Sequence, residues 1–157
     1  MVIAEAMLGF GDKAVEYFRM INPIEHSKTK NSVMKYKVEP YVIPADVYGQ
    51  GNLAGRGGWT WYTGSSSWFY KAGIEFILGM KISNGIMTFS PCVPKEWKEY
   101  QIQYRWKESI YNIKVKNPNG KNSFEEEKSK ILLNGNVSKN YFKLDDGRNI
   151  YNIEVIL

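Results

Sequence analysis

The chain has 157 residues, 43% hydrophobic and 15% aromatic, with 21 basic against 16 acidic side chains and a formal charge of +5. A chain of this length and composition buries about two thirds of its unfolded surface, which describes compact soluble structure and excludes intrinsic disorder. The positive excess is even, 9 basic to 7 acidic residues over 1–81 and 12 to 9 over 82–157, so no basic tract is present to follow a phosphate backbone and no nucleic-acid partner is expected.

A single cysteine, Cys92, excludes an intrachain disulfide framework and a cysteine-based zinc site, so no metal is expected and a reducing compartment is. The N-terminal stretch contains Glu5 and has no basic residue ahead of it, which makes a poor secretory signal. The apolar run 74–80 is broken by Glu75 and Gly79 and is far short of the roughly 20 residues that span a bilayer. A cytoplasmic location without a membrane span is the expectation.

In chain order, Ile3, Met7 and Leu8, then Ala14, Val15, Phe18 and Ile21 recur at helical spacing on either side of Gly9 and Gly11. The pattern predicts a helix, a glycine hinge, and a second helix capped by Asp12 and stopped at Asn22-Pro23. An amphipathic helix beginning at Met1 without a cap points to a fragment of a larger domain. Residues 23–65 show no sustained helical period and hold Pro23, Pro40 and Pro44 with glycines at 49, 51, 55, 57, 58 and 64, which predicts a long functional loop region.

Helical pattern returns over 66–81, with Trp68, Ala72, Phe76 and Gly79 or Met80 on one face and Ser65 or Ser66 as N-cap. After Asn84-Gly85, short alternating runs at 86–89, 100–106, 111–116, 130–134, 141–144 and 149–156 predict strands. Turn signals stand at Asn117 to Gly120, Asn134-Gly135 and Asp145 to Gly147. The expected boundary is near residue 83.

Several motifs reduce to ordinary structure. The fingerprint-like run from Gly49 to Ala54 lacks a clean preceding strand and a following helix, so it is not a dinucleotide site. Asn136-Val-Ser138 is a glycosylation sequon only in a secreted chain. His26 has no second histidine or nearby cysteine and reads as structural, and Glu125 to Lys128 reads as a solvated charge run.

The informative segment is GRGGWTWYTGSSSWFY, residues 55–70. Its glycines allow close approach of backbone to ligand, its aromatics offer flat faces for sugar C–H groups, and Arg56 supplies a fixed cation. Thr63-Gly64-Ser65 precedes a predicted helix, where free N–H groups and the positive dipole end favour an anion such as phosphate. A glycine-rich core loop with packed aromatics is the alternative that composition leaves open.

NPIEHS (22–27), YKVEPYVIPADVY (36–48), GRGGWTWYTGSSSWFY (55–70), SPCVPKEW (90–97) and the closing NG and DDG turns together resemble the C-terminal end of glycoside hydrolase family 94. That family holds cellobiose, chitobiose and 1,2-β-oligoglucan phosphorylases and the C-terminal region of cyclic β-1,2-glucan synthase, and the GRGGWTWYTGS form is similar to the last two. The resemblance implies an α+β chain. Residues 1–83 would be the terminal helices of an (α/α)6 catalytic barrel with its substrate loop, and residues 84–157 a small antiparallel β-sandwich-like module.

It implies inverting phosphorolysis, in which a carboxylic acid protonates the glycosidic oxygen while phosphate attacks the anomeric carbon from the opposite face. In the family that acid is an Asp upstream of the matched segments, so no catalytic residue is expected here and the chain alone is expected to be inactive. Inorganic phosphate would be co-substrate, with no cofactor. Glu39 would lie at the sugar subsite with Trp59 and Trp61, and Thr63 and Gly64 at phosphate. Arg56 is expected at phosphate with them, standing where several phosphorylases place a phosphate-touching histidine near the glycine-rich stretch, and Ser66 and Ser67 stand where relatives commonly have Ala-Gly. The implied partners are a β-glucan oligosaccharide, β-1,2-linked, and an upstream polypeptide completing the barrel. A non-catalytic carbohydrate-binding module and an inert remnant are the other expectations.

Overall fold

The computed structural model describes residues 1–61 and 63–157, with Thr63 represented by its backbone. Two compact units are present, one of Met1–Val15 with Ile74–Leu157 and one of Glu16–Gly73.

Helix α1 (Val2–Met7) of the first unit is followed by Gly9, whose φ of +82° turns the chain into helix α2 (Gly11–Ile21), of which the residues to Val15 belong to the first unit and the rest to the second. Asp12 does not cap α2. It sits in the first turn, and its carboxylate accepts from the Lys95 N–H (3.1 Å) and the Asn122 amide (2.9 Å), so side-chain reach across the fold outcompetes the local cap.

The predicted helix over 66–81 is shorter and differently phased. Helix α4 (Thr63–Lys71) continues as a π-helical turn, Ala72–Ile77, and the chain then reverses at Gly79 into a strand, Met80–Ser83, that periodicity assigned to the helix. The wider π turn rotates the helical face. Ala72 and Ile77 are buried and Trp68 is exposed, which the even 3.6-residue spacing does not anticipate. Gly79 is required twice over: its φ is +73°, and a Cβ there would stand 2.2 Å from the Pro91 nitrogen.

The remaining strands, with β1 (Asp46–Val47) and β2 (Gly57–Gly58) of the other unit and β3 (Met80–Ser83), are β4 (Ile86–Phe89), β5 (Glu99–Trp106), β6 (Ser109–Lys116), β7 (Lys130–Leu133), β8 (Asn136–Ser138), β9 (Phe142–Lys143) and β10 (Ile150–Ile156). They form a three-stranded sheet β3-β4-β9 and a five-stranded sheet β5-β6-β10-β7-β8. Asn84-Gly85 and Asn134-Gly135 close two-residue hairpins with positive φ at both positions, the geometry that matches strand twist. Alternating burial along β6 and β10 puts Tyr111, Ile113, Val115, Ile153 and Val155 into the core, together with Met87, Phe89 and Phe142 of the smaller sheet.

The sheet is mixed, whereas the resemblance implies an antiparallel module. β10 pairs antiparallel with β7 but parallel with β6, in register from Ile150 opposite Ile110 to Ile156 opposite Lys116. Alternation has the same period in both directions, so the pattern carries no sign of it. The entry into β10 is fastened by Asp145. Its carboxylate accepts from Asn149 Nδ2 (2.7 Å) and Tyr151 Oη (3.0 Å), its own N–H donates to Tyr111 Oη (2.7 Å), and the Ser109 hydroxyl donates to Gly147 O. The bond from Asn149, then those from the Gly147 N–H and Tyr151, holds the Asp145 carboxyl below the usual carboxylate range.

In the unit Glu16–Gly73, Tyr36, Val38 and Val42 form a small buried cluster. The His26 ring stacks on Tyr36 (4.4 Å between centroids, 19° between planes), and its Nε2–H donates to Met20 O at 2.7 Å, a structural role. Helix α3 (Lys30–Tyr36) lies within the segment expected to lack helix. It is nucleated by a capping box in which Thr29 and Ser32 bond each other's backbone N–H, and of its apolar residues Val33 and Met34 are exposed, leaving no apolar stripe to detect.

Two measurements follow from this packing. Gly79→Ala should lower stability by about 2 kcal/mol or more in urea unfolding, since it meets both a disfavoured φ and backbone atoms. Burial, and secondarily the Asp12 charge, pushes the Cys92 thiol up to about 11. Native chain should therefore resist iodoacetamide at pH 8 and react fully in denaturant. Because the folded state keeps this proton longer than the unfolded one, the thiol's contribution is complete below the ordinary thiol pKa and is lost as pH rises towards 11.

Candidate functional site

The candidate site is built on the β1–β2 hairpin of the unit Glu16–Gly73. Asp46 lies opposite Gly58 and Val47 opposite Gly57, and the Tyr48 N–H donates to Arg56 O (2.9 Å) while the Ala45 N–H donates to Trp59 O (3.0 Å). Both glycines are buried, and a Cβ on Gly57 would stand 2.3 Å from Val38 Cγ2, so only glycine lets the hairpin settle on the Tyr36–Val38–Val42 cluster.

Immediately after the hairpin the chain carries two tryptophans in left-handed backbone, Trp59 at φ +50° and Trp61 at φ +66°. Bulky side chains rarely adopt this region, and each such residue costs about 1–3 kcal/mol. Nor does burial compensate, since Trp59 is 68% and Trp61 65% exposed. Tyr41, 72% exposed, meets Trp61 edge-on with ring centroids 6.0 Å apart. Strained, solvent-facing aromatics directly after a hairpin seated on glycine are the arrangement expected of a stacking surface rather than of a core loop.

Thr63 is the first residue of α4, and its side chain lies outside the described residues, as does all of Tyr62. Gly64 follows in the first turn, exposed, with open space where a Cβ would be. Arg56 is exposed and enters β2, its N–H bonded to Leu53 O. Helix α4 thus starts at Thr63, two residues ahead of the caps Ser65 and Ser66 that the pattern suggests.

Glu39 occupies the turn between Val38 and Val42, half-buried, with its carbonyl accepting from the Val42 N–H (3.1 Å). Among the described residues no side-chain hydrogen bond joins Glu39 to Arg56, Trp59 or Trp61. The hairpin and α4 place Arg56, Trp59, Trp61, Thr63 and Gly64 within one short run of chain, and Tyr41, two residues after Glu39, meets Trp61.

Two neighbours escaped the sequence reading. Asp46 reaches across to Gly58, where a Cβ would stand 2.6 Å from its Oδ1, and the Lys35 side chain crosses Gly55, where a Cβ would stand 2.2 Å from its Cε. Asp46 has a faint signal, an acid eleven residues ahead of a glycine pair. Lys35 has none, because only the fold brings α3 to the loop. Among the described residues no group of three or more His, Cys, Asp or Glu could hold a metal ion, and no helix is long and apolar enough to cross a membrane.

This glycine-aromatic hairpin leading into a helix N-terminus belongs to a catalytic domain of carbohydrate-active enzymes. Residues 1–79 match the glycosyl hydrolase 94 superfamily catalytic domain, and residues 80–122 match the C-terminal domain of glycosyl hydrolase family 65. The chain belongs to the glycosyl hydrolase 94 superfamily. It is 44% identical over 115 residues to the cyclic beta-(1,2)-glucan synthase NdvB of Rhizobium meliloti (strain 1021), a match covering 73% of this chain and 4% of that protein. It is 35% identical over 135 residues to the N,N'-diacetylchitobiose phosphorylase of Vibrio furnissii, covering 85% of this chain and 16% of that protein. With the solabiose phosphorylase of Paenibacillus borealis it shares 25% identity over 125 residues, 75% of this chain and 15% of that protein. The chain therefore spans a small part of the length of the relatives it matches.

Trp59→Gly tests the strain. Relief of the left-handed φ should leave the thermal midpoint equal or raised, by up to about 1 kcal/mol in stability, because little buried surface is lost. A clear drop would show that Trp59 is a packing residue.

Proposed function

We propose that this chain forms the C-terminal part of a glycoside phosphorylase or glycosyltransferase acting on β-glucans, β-1,2-linked, by inverting phosphorolysis. The observation that carries this reading is the pair of strained, exposed tryptophans beside Arg56 and immediately ahead of the α4 N-terminus. In this reading Trp59 and Trp61 hold sugar rings by stacking, and Glu39 accepts hydrogen bonds from sugar hydroxyls. The α4 N-terminus at Thr63 and Gly64, with the Arg56 guanidinium, holds inorganic phosphate. Phosphate so held is the nucleophile, and the protein need only orient it and balance its charge. The proton for the leaving oxygen comes from a carboxylic acid outside this chain. The glucan linkage is taken from the similarity to the cyclic beta-(1,2)-glucan synthase.

An upstream polypeptide carrying the rest of the catalytic barrel is the proposed partner. Met7, Leu8 and Phe10 in one unit, and Met20, Ile21 and Met34 in the other, are exposed apolar side chains of the kind such a partner would cover. The same aromatics would serve a carbohydrate-binding module that needs no partner, and the experiment below separates the two.

Purified chain is incubated with sophorooligosaccharides and phosphate, alone and after co-expression with the reading frame preceding its own, and glucose 1-phosphate is measured. No product from the chain alone and product from the pair are expected. In the active pair, Arg56→Ala should raise the phosphate KM by about 10-fold or more. Trp59→Ala and Trp61→Ala should raise the sugar KM by about 2- to 10-fold each. Product from the chain alone would overturn the assignment of the acid. Saturable glucan binding by the chain, lost in both tryptophan variants with no activity from the pair, would instead establish the module.

A further inference from the structure

Among the described residues, strand β5 is an outer strand of the five-stranded sheet, bonded to β6 on one side only. The opposite edge, β8, is three residues long, whereas β5 pairs with β6 over eight consecutive residues without a bulge. Between Glu99 and Trp106 it has no proline or lysine, two of the devices that usually blunt an edge, and its charges stand only near its ends, at Glu99 and Arg105.

The direction of its backbone groups follows from the bonds at the ends of β6. Asn117 N–H donates to Lys98 O (2.7 Å), while Ile110 N–H donates to Asn149 O (2.9 Å) and Lys116 O accepts from Leu157 N–H (2.9 Å). Even-numbered residues of β6 therefore face β10 and odd-numbered ones face β5. In an antiparallel ladder, residues in register with these odd ones, Tyr100, Ile102, Tyr104 and Trp106, spend their backbone groups on β6. Glu99, Gln101, Gln103 and Arg105 point theirs to the open edge, and the side chains of all four are exposed.

About Ile102 the strand reads the same in both directions, Tyr100-Gln101-Ile102-Gln103-Tyr104, flanked by Glu99 on one side and Arg105 on the other. We propose that β5 is a self-association edge, at which two copies of this chain pair antiparallel about a two-fold axis through Ile102. In that register Ile102 faces Ile102 of the second copy and Tyr100 faces Tyr104, all in the non-bonded positions where side chains approach most closely. Gln101 with Gln103, and Glu99 with Arg105, fall in the bonded positions, where their outward groups make about eight backbone hydrogen bonds. Opposite charges meet at both ends of the ribbon.

Sliding the register by two residues either way places Gln101 opposite Arg105, or Glu99 opposite Gln103, and loses both charge pairs. Glu99 and Arg105 already have partners within the chain, Lys114 at 2.9 Å and Glu108 at 3.9 Å. Both can be shared, since Glu99 has a second carboxylate oxygen and Arg105 spends only Nε on Lys107 O. The same surface recurs on both copies, which is what a closed two-fold interface requires, and the two sheets join into one of ten strands.

The contact is small beside a standard interface, so dimerisation is expected at about 10–1,000 μM. Sedimentation equilibrium of the full chain from about 1 to 500 μM should show a reversible monomer–dimer equilibrium. Amide exchange at Gln101 and Gln103 should slow as concentration rises, while that of Tyr100 and Ile102 stays constant. Arg105→Glu sets Glu opposite Glu99 and should weaken the dimer at least 10-fold. Gln103→Pro removes two of the bonds and should abolish it. The double variant Glu99→Arg with Arg105→Glu restores both charge pairs and should restore dimerisation to within about 3-fold of the original. A chain that stays monomeric throughout, a dimer indifferent to Arg105→Glu, or a folded double variant that does not recover would each overturn the proposal. Should the variants fail to fold, concentration-independent exchange at Gln101 and Gln103 in the unaltered chain overturns it by itself.

Discussion

The parallel pairing of β10 with β6 is the constraint on which the rest of the β unit depends. A parallel pair cannot be closed by a tight turn, so the chain must leave the end of β6 and return to its beginning. The excursion carries β7, β8 and β9, which is why one connection supplies strands to both sheets. The return is fixed where Tyr151 stacks on Tyr111, its partner in register, with centroids 4.9 Å apart and planes 16° apart. Asp145 bonds to both side chains' hydroxyls, through its N–H to one and its carboxylate to the other. With β10 on the far side of β6, β5 has β6 as its one bonded neighbour among the described residues, and its outward backbone groups are left at the sheet edge.

The unit Glu16–Gly73 depends on a different economy of space. Its buried cluster is small, Tyr36, Val38 and Val42, with His26 stacked over Tyr36 as a lid. A hairpin can lie directly on so small a core only where a side chain is absent, at Gly57, while Gly58 leaves room for the Asp46 and Tyr48 side chains on the facing arm of the hairpin. The chain leaves those glycines with little freedom, and the two tryptophans that follow take up left-handed backbone within reach of solvent. Close packing at Gly57 thus lies directly ahead of exposed aromatics in the chain.

Much of this was legible in the residues. Asn-Gly dipeptides announced two hairpins, alternation located the long strands to within a residue or two, and the motif from Gly55 to Tyr70 carried the family resemblance that the matched catalytic and C-terminal domains bear out. Less legible was α3, because a seven-residue helix with one buried apolar residue has no stripe and its Thr29–Ser32 capping box is not of the usual Glu or Gln form. Strand β3 was hidden for a related reason: Met80 continues the helical spacing of Ala72 and Phe76, and only the left-handed turn at Gly79 separates them. The contribution of Lys35 to the loop has no local signal and that of Asp46 only a faint one, since each arrives from a distant or reversed segment.

By itself the sequence determined the long strands, the Asn-Gly turns, the glycine-aromatic loop and the family, because periodicity, positive-φ residues and motif spacing are local properties. Tertiary structure alone decided the direction of β10, the exposure of Trp68, the turning of Asp12 away from its own helix, and the freedom of the β5 edge. Each of these is a choice of neighbour. Local pattern specifies which face of an element is apolar, but which other element meets it, and from which direction, is settled only when the whole chain competes for the same contacts.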